Sequence, residues 1–143
     1  MFYYEARRKQ LQYLLNQMLE YLNKIPLDSN TKGFLVILVH YFSMTFIVGY
    51  LVFGPTNKYY LLSMSILLFS LFINIYFHCC PILKLERILI EEPKWAGFYE
   101  LLKFVYIEPT STNIKITFWF SAFLLVNIII FKKVFKKLLS IYL

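Results

Sequence analysis

The chain has 143 residues, about the length of one ordinary domain, and carries a formal net charge of +7. Hydrophobic residues make up 59% and charged residues 16% of it, and the mean hydropathy is +0.60. Soluble proteins carry roughly 25% charged residues, and a soluble fold of this length could not bury so much apolar surface. The composition therefore excludes most secreted, disordered and nucleic-acid-binding classes and predicts an integral membrane protein. Because Lys and Arg flank apolar runs rather than forming one basic face, we expect no nucleic-acid partner.

The N-terminal segment, residues 1–26, has the pattern of an amphipathic helix. Its apolar residues recur at helical spacing, while basic and amide side chains occupy the other positions. The apolar positions are Leu11, Leu14, Leu15, Met18, Leu19 and Leu22. The segment is too polar to span a membrane and lacks the small-residue cleavage site of a signal peptide. We therefore expect an interfacial or protein-docking helix that ends near Pro26.

Three apolar runs free of Asp, Glu, Lys and Arg follow, and a spanning helix needs about 20 such residues. They predict transmembrane helices at about 33–53, 59–80 and 114–131. The first two runs are joined by Gly54-Pro55-Thr56-Asn57, and Gly, Pro and Asn stop helices and turn the chain. The predicted fold class is all-α: an N-terminal docking helix and a three-span membrane domain over 33–143 whose first two spans form an antiparallel hairpin.

The loop 81–113 separates the second and third spans. Pro81 ends the second span and can begin a new helical segment. Trp95 and the tyrosines that follow predict an interfacial helix at about 95–107, with these rings at headgroup depth. Thr110 to Asn113 has the composition of a helix N-cap before the third span. The tail, 132–143, is basic and amphipathic and is expected to lie on an anionic surface.

Membrane orientation and membrane identity follow from charge and residue usage. Most Lys and Arg lie in the N-terminal segment and in the loop 81–113, which places the N-terminus in the cytoplasm or an equivalent inner compartment. The basic tail favours the opposite orientation, so both orientations remain open.

The abundance of Phe, Tyr, Ile, Lys and Asn is what AT-rich coding DNA produces. A protist mitochondrial inner membrane and a viral or host membrane both fit this usage.

Chemistry-bearing residues concentrate in the string His78-Cys79-Cys80-Pro81 at the end of the second span. His and Cys are common metal ligands, but adjacent helical residues point about 100° apart. We therefore expect a structural helix-end cluster, with no metal and no cofactor. The alternative is S-palmitoylation of Cys79 or Cys80, because a Cys at the cytoplasmic end of a span is the usual setting for it. Neighbouring Cys residues are poorly placed to form a disulfide.

His40 lies inside the first span, where an ionisable residue is costly and is by default a functional hypothesis, such as a proton relay, a ligand or a quinone contact. No further charged residue lies within a span to continue a relay, so we expect His40 to hydrogen-bond across the hairpin to Ser70 or Asn74. The carboxylates of the loop are expected to form ordinary surface ion pairs or, for Glu86, to contact backbone amides. They are Glu86, Glu91, Glu92 and Glu100, with Lys84, Arg87, Lys94 and Lys103 as neighbours.

The string Cys80-Pro-Ile-Leu-Lys-Leu-Glu86 resembles the Cys-Pro-Leu-Thr-x-Leu-Glu motif of a family of small bacterial membrane proteins described as a domain of unknown function, with similar proteins in large DNA viruses. Leu38-Val39-His40, Gly97-Phe98 and the last apolar run fall in the order of that family's features. The resemblance covers about residues 35–132. It implies the three-span layout and draws attention to His40, Cys80 and Glu86, but it implies no substrate.

Two functions are consistent with these patterns. The first is a non-catalytic integral membrane protein, not an enzyme, that acts as a structural or accessory subunit of a larger assembly, with the lipid bilayer and other membrane protein subunits as partners. The alternative is a small redox, metal or ligand-binding membrane protein that uses His40 and the His78-Cys79-Cys80 cluster. Transport would need a polar path, for which three short spans offer little room.

Overall fold

A computed structural model describes residues 2–142, with the side chains of residues 4–97 and 99–132. None of residues 2–142 lies in a β-strand, which confirms the all-α prediction. The chain forms α1 (Phe2–Asn23), α2 (Ser29–Phe53), α3 (Lys58–Phe77), α4 (Pro81–Leu89), a 3₁₀ helix (Gly97–Val105) and α5 (Ser111–Tyr142). The 3₁₀ helix lies within the interfacial helix predicted at 95–107.

Three helices are long and apolar enough to cross a membrane: α2, α3 and the part of α5 from Ser111 to Lys132. They overlap the three predicted spans, but α2 and α5 begin earlier than predicted, at Ser29 and Ser111, and two further differences lie at the C-terminal ends. The second span stops at Phe77 rather than 80, because His78 takes a left-handed conformation with φ 55° and its N–H bonds to Ile75 O. The third span continues without a break into the tail. The side chains of the tail beyond Lys132, and with them the predicted contact of the tail with an anionic surface, lie outside the described residues.

Side-chain caps begin the spanning helices. Asp28 Oδ2 accepts a hydrogen bond from Thr31 N at 2.9 Å at the start of α2. At the hairpin turn, Asn57 Oδ1 accepts hydrogen bonds from the backbone N–H groups of Tyr59 and Tyr60, at 3.0 and 3.2 Å. Thr110 Oγ1 accepts from Asn113 N at the start of α5. The turn at 54–57 and the cap at 110–113 therefore form where the sequence predicted them, because these side chains satisfy N–H groups that a first helical turn leaves unbonded.

Helix α1 packs its apolar face on α4 rather than standing alone. The buried core between them consists of Leu11, Leu15, Leu85 and Leu89. Polar contacts also join α1 to α3: the Arg7 guanidinium lies 4.8 Å from the centre of the Tyr76 ring, and the Tyr76 hydroxyl donates to Gln10 Oε1 at 2.7 Å. The apolar face of α1 therefore packs against the rest of the chain, whereas its position relative to a membrane interface stays a prediction.

Helix α4 runs beside the N-terminal half of α2. Ser29 Oγ donates to Leu89 O at 2.9 Å. Gly33 permits this approach, because a Cβ at Gly33 would lie 2.5 Å from Ile90 Cγ2. With its end fixed near Ser29 and Gly33, α4 places its middle, including Glu86, beside His40.

Helix α5 is attached to the hairpin near its turn. Lys132 Nζ donates to the carbonyl oxygens of Leu51, Val52 and Gly54 at 3.3, 3.2 and 2.5 Å. The same ammonium lies 5.3 Å from the centre of the Tyr60 ring. A positive charge at the C-terminal end of α2 is favourable because the helix dipole is negative there. No residue in the most apolar window of α5 is buried, although half-buried residues recur along the span.

Candidate functional site at the junction of α2 and α4

The centre of the site is a hydrogen bond between His40 Nδ1 and Glu86 Oε1, 2.6 Å long. The Glu86 side chain has 0% exposure and the His40 side chain 15%. Such a short bond is typical of charge-assisted pairs. In a bond of this kind a protonated imidazole offsets the charge of an ionised carboxylate. A carboxyl group can therefore be buried here without leaving an uncompensated charge.

Trp95 completes the hydrogen bonding of the carboxylate. Its Nε1–H donates to Glu86 Oε2 at 2.9 Å, so both carboxylate oxygens have a partner. The next residue of α4, Arg87, donates from Nε to the Trp95 carbonyl oxygen at 2.6 Å. Adjacent residues of one helix thus bind the side chain and the backbone of Trp95 and fix the loop over the site.

A glycine lets that loop cover the carboxylate. Gly97 has φ +64°, a conformation that side chains with a Cβ rarely adopt. A Cβ there would lie 2.7 Å from Leu83 Cδ1, 3.2 Å from the Tyr41 hydroxyl and 3.6 Å from Glu86 Oε2. The backbone of the loop therefore approaches α2 and α4 more closely than any larger residue would allow.

Cys80 brings a thiol to the same place. It is the N-cap residue of α4, with extended backbone at φ −80° and ψ 118°, and it is half-buried. Its thiol lies near the His40 imidazole. Tyr99, from the 3₁₀ helix, lies near the thiol, and burial raises the pKa of this tyrosine above its usual value, which keeps its hydroxyl protonated. A thiol therefore lies near the bonded imidazole and carboxyl group where α2 and α4 pack together.

The remaining residues of the string 78–81 point elsewhere. His78 is exposed and ends α3. Cys79 packs against the leucine core of α1 and α4, and burial raises the pKa of its thiol. Pro81 is buried as the first residue of α4. Within the described residues there is no group of three or more His, Cys, Asp or Glu that could hold a metal ion. The structure thus brings His40, Cys80 and Glu86 together and leaves His78 and Cys79 outside the site.

Two expectations for the polar residues are wrong. His40 does not bond across the hairpin to Ser70 or Asn74; the Asn74 amide instead donates to Ser70 O within α3. Glu86 is not a surface residue, because α4 turns it toward α2. The signal that could have placed it is its position beside Leu85 and four residues before Ile90, on the apolar side of a helix that begins at Pro81.

Glu100 behaves as an ordinary surface carboxylate, as expected. Its Oε2 lies 2.6 Å from Lys103 Nζ, and Ala96 N donates to its Oε1 at 3.0 Å. The hydrogen bond from Lys103 lowers the pKa of Glu100. The part played by Trp95 was not foreseen, because an indole in an interfacial loop has no local sequence signal for a carboxylate partner.

Comparison with protein-family models, with curated proteins and with solved structures finds no match for this chain. The resemblance to the Cys-Pro-Leu-Thr-x-Leu-Glu family therefore stays a prediction. The interpretation of the site depends on its own geometry.

Proposed function

We propose that this protein is a non-catalytic structural or accessory subunit of a larger membrane assembly and that α5 is the helix through which it binds its partner. The observation that carries the proposal is Asn127, a polar residue exposed on the span of α5. The partner is the transmembrane helix of another membrane protein subunit.

Asn127 lies on one face of α5 with three large apolar residues. Ile116, Phe120, Phe123 and Asn127 are spaced four, three and four apart, and the three apolar side chains are 61%, 60% and 66% exposed. The Asn127 amide group donates to Phe123 O within its own helix. An amide in hydrocarbon is costly unless a neighbouring helix bonds it, and interhelical bonds of this type contribute about 1–2 kcal/mol in model peptides. This face therefore has the pattern of a helix-helix contact.

The manner in which α5 is attached also favours this proposal. Lys132 joins α5 to the C-terminal carbonyls of α2 near one end of the span. The most apolar window of α5 contains no buried residue, and the residues on the Asn127 face are exposed. A partner helix could therefore bind along this face of α5.

The test is affinity purification from native membranes in mild detergent, with identification and stoichiometry of the polypeptides that come with the chain. We expect a stoichiometric partner that is lost in Asn127→Leu, because the interhelical amide bond is removed. An affinity loss of about tenfold corresponds to about 1.4 kcal/mol.

Ser65→Ala is the matched control. Ser65 is also an exposed polar residue of a span whose side chain bonds its own helix, at Leu61 O, so removing it should leave the partner bound. A chain that purifies alone as a monomer, or a partner that remains equally bound to Asn127→Leu, would contradict the proposal. Recovery of only a second copy of the chain would replace an accessory role with a homo-oligomer.

A second candidate is a small redox or ligand-binding membrane protein, and the observation that favours it is the pairing of His40 with Glu86. His78 takes no part in this arrangement, which leaves His40, Cys80 and Glu86 as the chemical groups. An absorbance spectrum and metal analysis of purified protein test it. A colourless, metal-free sample that is unchanged by His40→Ala would exclude a bound chromophore or metal at His40.

The membrane in which the assembly would lie is also a proposal. The three candidate spanning helices are compatible with a membrane protein. The AT-rich residue usage favours a protist mitochondrial inner membrane or a viral or host membrane. Immunogold labelling of infected or native cells would separate the two.

A further inference from the structure

We infer that the groove along α2 between Thr45 and Gly54 is a binding site for an anionic phospholipid, with one acyl chain in the groove and the phosphate at the hairpin turn. The inference concerns a lipid that is held at one place, as distinct from the exchanging lipid around any membrane span. The site lies on α2, whereas the partner helix proposed above would bind α5. The two proposals are therefore tested independently.

The groove is a concave apolar surface with a volume of about 440 Å³. Binding sites for small molecules have volumes of about 300–1,000 Å³. Because the lining residues recur at helical spacing, they share one side of α2. They are Thr45, Phe46, Gly49, Tyr50, Phe53 and Gly54. Gly49 leaves the middle of the groove open, since a Cβ there would have no neighbouring atom within 4 Å. Large aromatic side chains therefore surround a position that has no side chain of its own.

Two contacts hold one wall of the groove in place. The rings of Phe46 and Tyr50 stack with their centres 6.3 Å apart. The Tyr50 hydroxyl donates to Asn57 Oδ1 at 2.9 Å, which fixes this ring to the hairpin turn. Because the rings are already ordered, a ligand that enters the groove loses little binding free energy to ordering of the protein. The groove is thus preformed.

The lining and the length of the groove favour an acyl chain as its occupant. None of the six lining residues is charged, and Phe46 and Phe53 are exposed. From Thr45 to Gly54 the chain rises about 14 Å at about 1.5 Å per residue. One leaflet contributes about 15 Å, half of a hydrocarbon core of about 30 Å. Measured inward from the turn, the groove therefore has the length of the acyl chains of one leaflet.

The charge around the turn favours an anionic headgroup. No Asp or Glu occurs in the sequence from residue 29 to residue 85 or from residue 109 to residue 143. Two ammonium groups are present at the turn, those of Lys58 and Lys132. The Lys132 ammonium contacts the carbonyl oxygen of Gly54, the residue at which the groove ends. A phosphate at this end of the groove therefore meets positive charge and no carboxylate from these segments.

Lys58 is the lysine that binds the phosphate directly. An ammonium group has three N–H donors, and Lys132 contacts three carbonyl oxygens, so Lys132 supplies charge without a further donor. The Lys58 side chain is exposed, with its ammonium 5.2 Å from the centre of the Tyr59 ring. It directly follows Asn57, the residue to which Tyr50 of the groove is bonded. Acyl chain and phosphate of one lipid can thus contact the groove and Lys58 together.

The experiment uses the purified full chain in phosphatidylcholine nanodiscs. The discs contain, at the same mole fraction, either phosphatidylglycerol or phosphatidylcholine with a photoreactive diazirine in the acyl chain, and mass spectrometry maps the labelled residues. Exposed residues of α3, Leu68, Phe69 and Phe72, report the exchanging lipid. We expect phosphatidylglycerol to label residues 45–54 about fivefold more than phosphatidylcholine does, which corresponds to about 1 kcal/mol for one lysine at an anionic headgroup. The two lipids should label α3 equally.

Two variants separate the groove from the headgroup contact. Gly49→Leu fills the groove, so labelling of residues 45–54 by phosphatidylglycerol should fall to the level on α3. Lys58→Gln leaves the groove open but should abolish the preference between the two lipids. Ser121→Leu and Lys115→Gln are the matched controls, because both residues are exposed on α5 and do not line the groove. Both controls should keep the wild-type preference. Lys58→Gln changes an exposed residue, so it tests the inference even if Gly49→Leu does not fold.

Several outcomes would overturn the inference. They are equal labelling of residues 45–54 by the two lipids, labelling there no higher than on α3, a folded Gly49→Leu with wild-type labelling, and a Lys58→Gln that keeps the preference. Native mass spectrometry of the same discs counts the polypeptides in each. Weak labelling of residues 45–54 by both lipids in discs that hold a second copy of the chain or another polypeptide would assign the groove to a protein and overturn the inference as well.

Discussion

The two ends of the molecule are built in different ways. At the end where α1, α2 and α4 meet, a leucine core and a buried polar network hold four elements of the chain together. At the hairpin turn, one lysine on three carbonyl oxygens joins α5 to α2. The first end is folded as a soluble protein is, around a core, whereas the span of α5 is left to be covered by lipid or by another helix.

The comparison of the two ends shows which helices depend on tertiary contacts for their stability. A span needs no packing to satisfy its backbone, because an α-helix bonds all of its own N–H and C=O groups in lipid. A short helix such as α4 has no such independence: nine residues are too few for a stable isolated helix. Helix α4 is therefore stabilised by its neighbours, and Glu86 at its centre is the residue on which those contacts converge.

The largest expected effect is at Glu86. Glu86→Ala leaves the His40 imidazole and the Trp95 N–H without their acceptor, and breaking a buried pair of this kind costs about 3–5 kcal/mol. The free energy of unfolding in mixed detergent, followed by tryptophan fluorescence, measures it. Glu100→Ala, which removes a solvent-screened pair with Lys103, should cost less than about 1 kcal/mol. Equal losses of unfolding free energy in the two variants would mean that the buried pair contributes no more stability than the exposed one.

The next effect is at Gly97. Gly97→Ala forces a side chain into a left-handed conformation against Leu83 and Tyr41, at a cost of about 1–3 kcal/mol. Gly49→Ala is the control. Gly49 lies within helix α2, and a Cβ at this position would have no neighbouring atom within 4 Å. It should leave stability unchanged or raise it by about 0.5–1 kcal/mol. The same unfolding measurement compares them, and a harmless Gly97→Ala would show that the loop need not lie so close to the carboxylate.

At the opposite end, Lys132→Met should release α5 from the hairpin. The variant loses three hydrogen bonds to carbonyl oxygens, for a cost of about 1 kcal/mol. Spin labels at positions 53 and 128 should give a broader distance distribution in this variant than in the wild-type chain. Lys58→Met is the matched control, because the contact that the structure gives for the Lys58 ammonium is with the Tyr59 ring, whose centre is 5.2 Å away. An unchanged distribution in Lys132→Met would mean that other contacts position α5.

The smallest effect concerns pH and the start of α2. Hydrogen bonds from the Thr31 hydroxyl and amide lower the pKa of Asp28 below 3.8. Because the folded value is below the unfolded value, the cap contributes stability above pH 3.8 that is lost as the pH falls through the folded value. Amide protection of residues 30–33 should therefore decrease on acidification below about pH 4. In Asp28→Asn, which caps without titrating, protection should not vary with pH; an equal pH dependence in that variant would assign the effect to another group.

Several features were predictable because their causes are local. The charge-free runs predicted all three spans, and Gly54 to Asn57 and Thr110 to Asn113 predicted a turn and a cap. The end of the second span was missed by three residues, because no Gly or Pro at position 78 signals the left-handed conformation with which His78 ends α3.

The site was only partly predictable. His40, Cys80 and Glu86 were singled out individually, as an ionisable group in a span and as parts of one motif. Their meeting was not foreseen, since an expected bond of His40 to Ser70 or Asn74 assumed that the hairpin partner is the nearest polar surface. In the structure α4 intervenes, and Asn74 is satisfied within its own helix.

The sequence by itself determined that the chain forms three apolar helices with their turns and caps, because span length, charge and capping depend on residues a few positions apart. The tertiary structure alone decided that His40 meets a carboxylate 46 residues away and that Trp95 and Gly97 close over it. The physical reason is that this contact depends on the close approach of α4 to α2 at Gly33, a distance that no local pattern encodes.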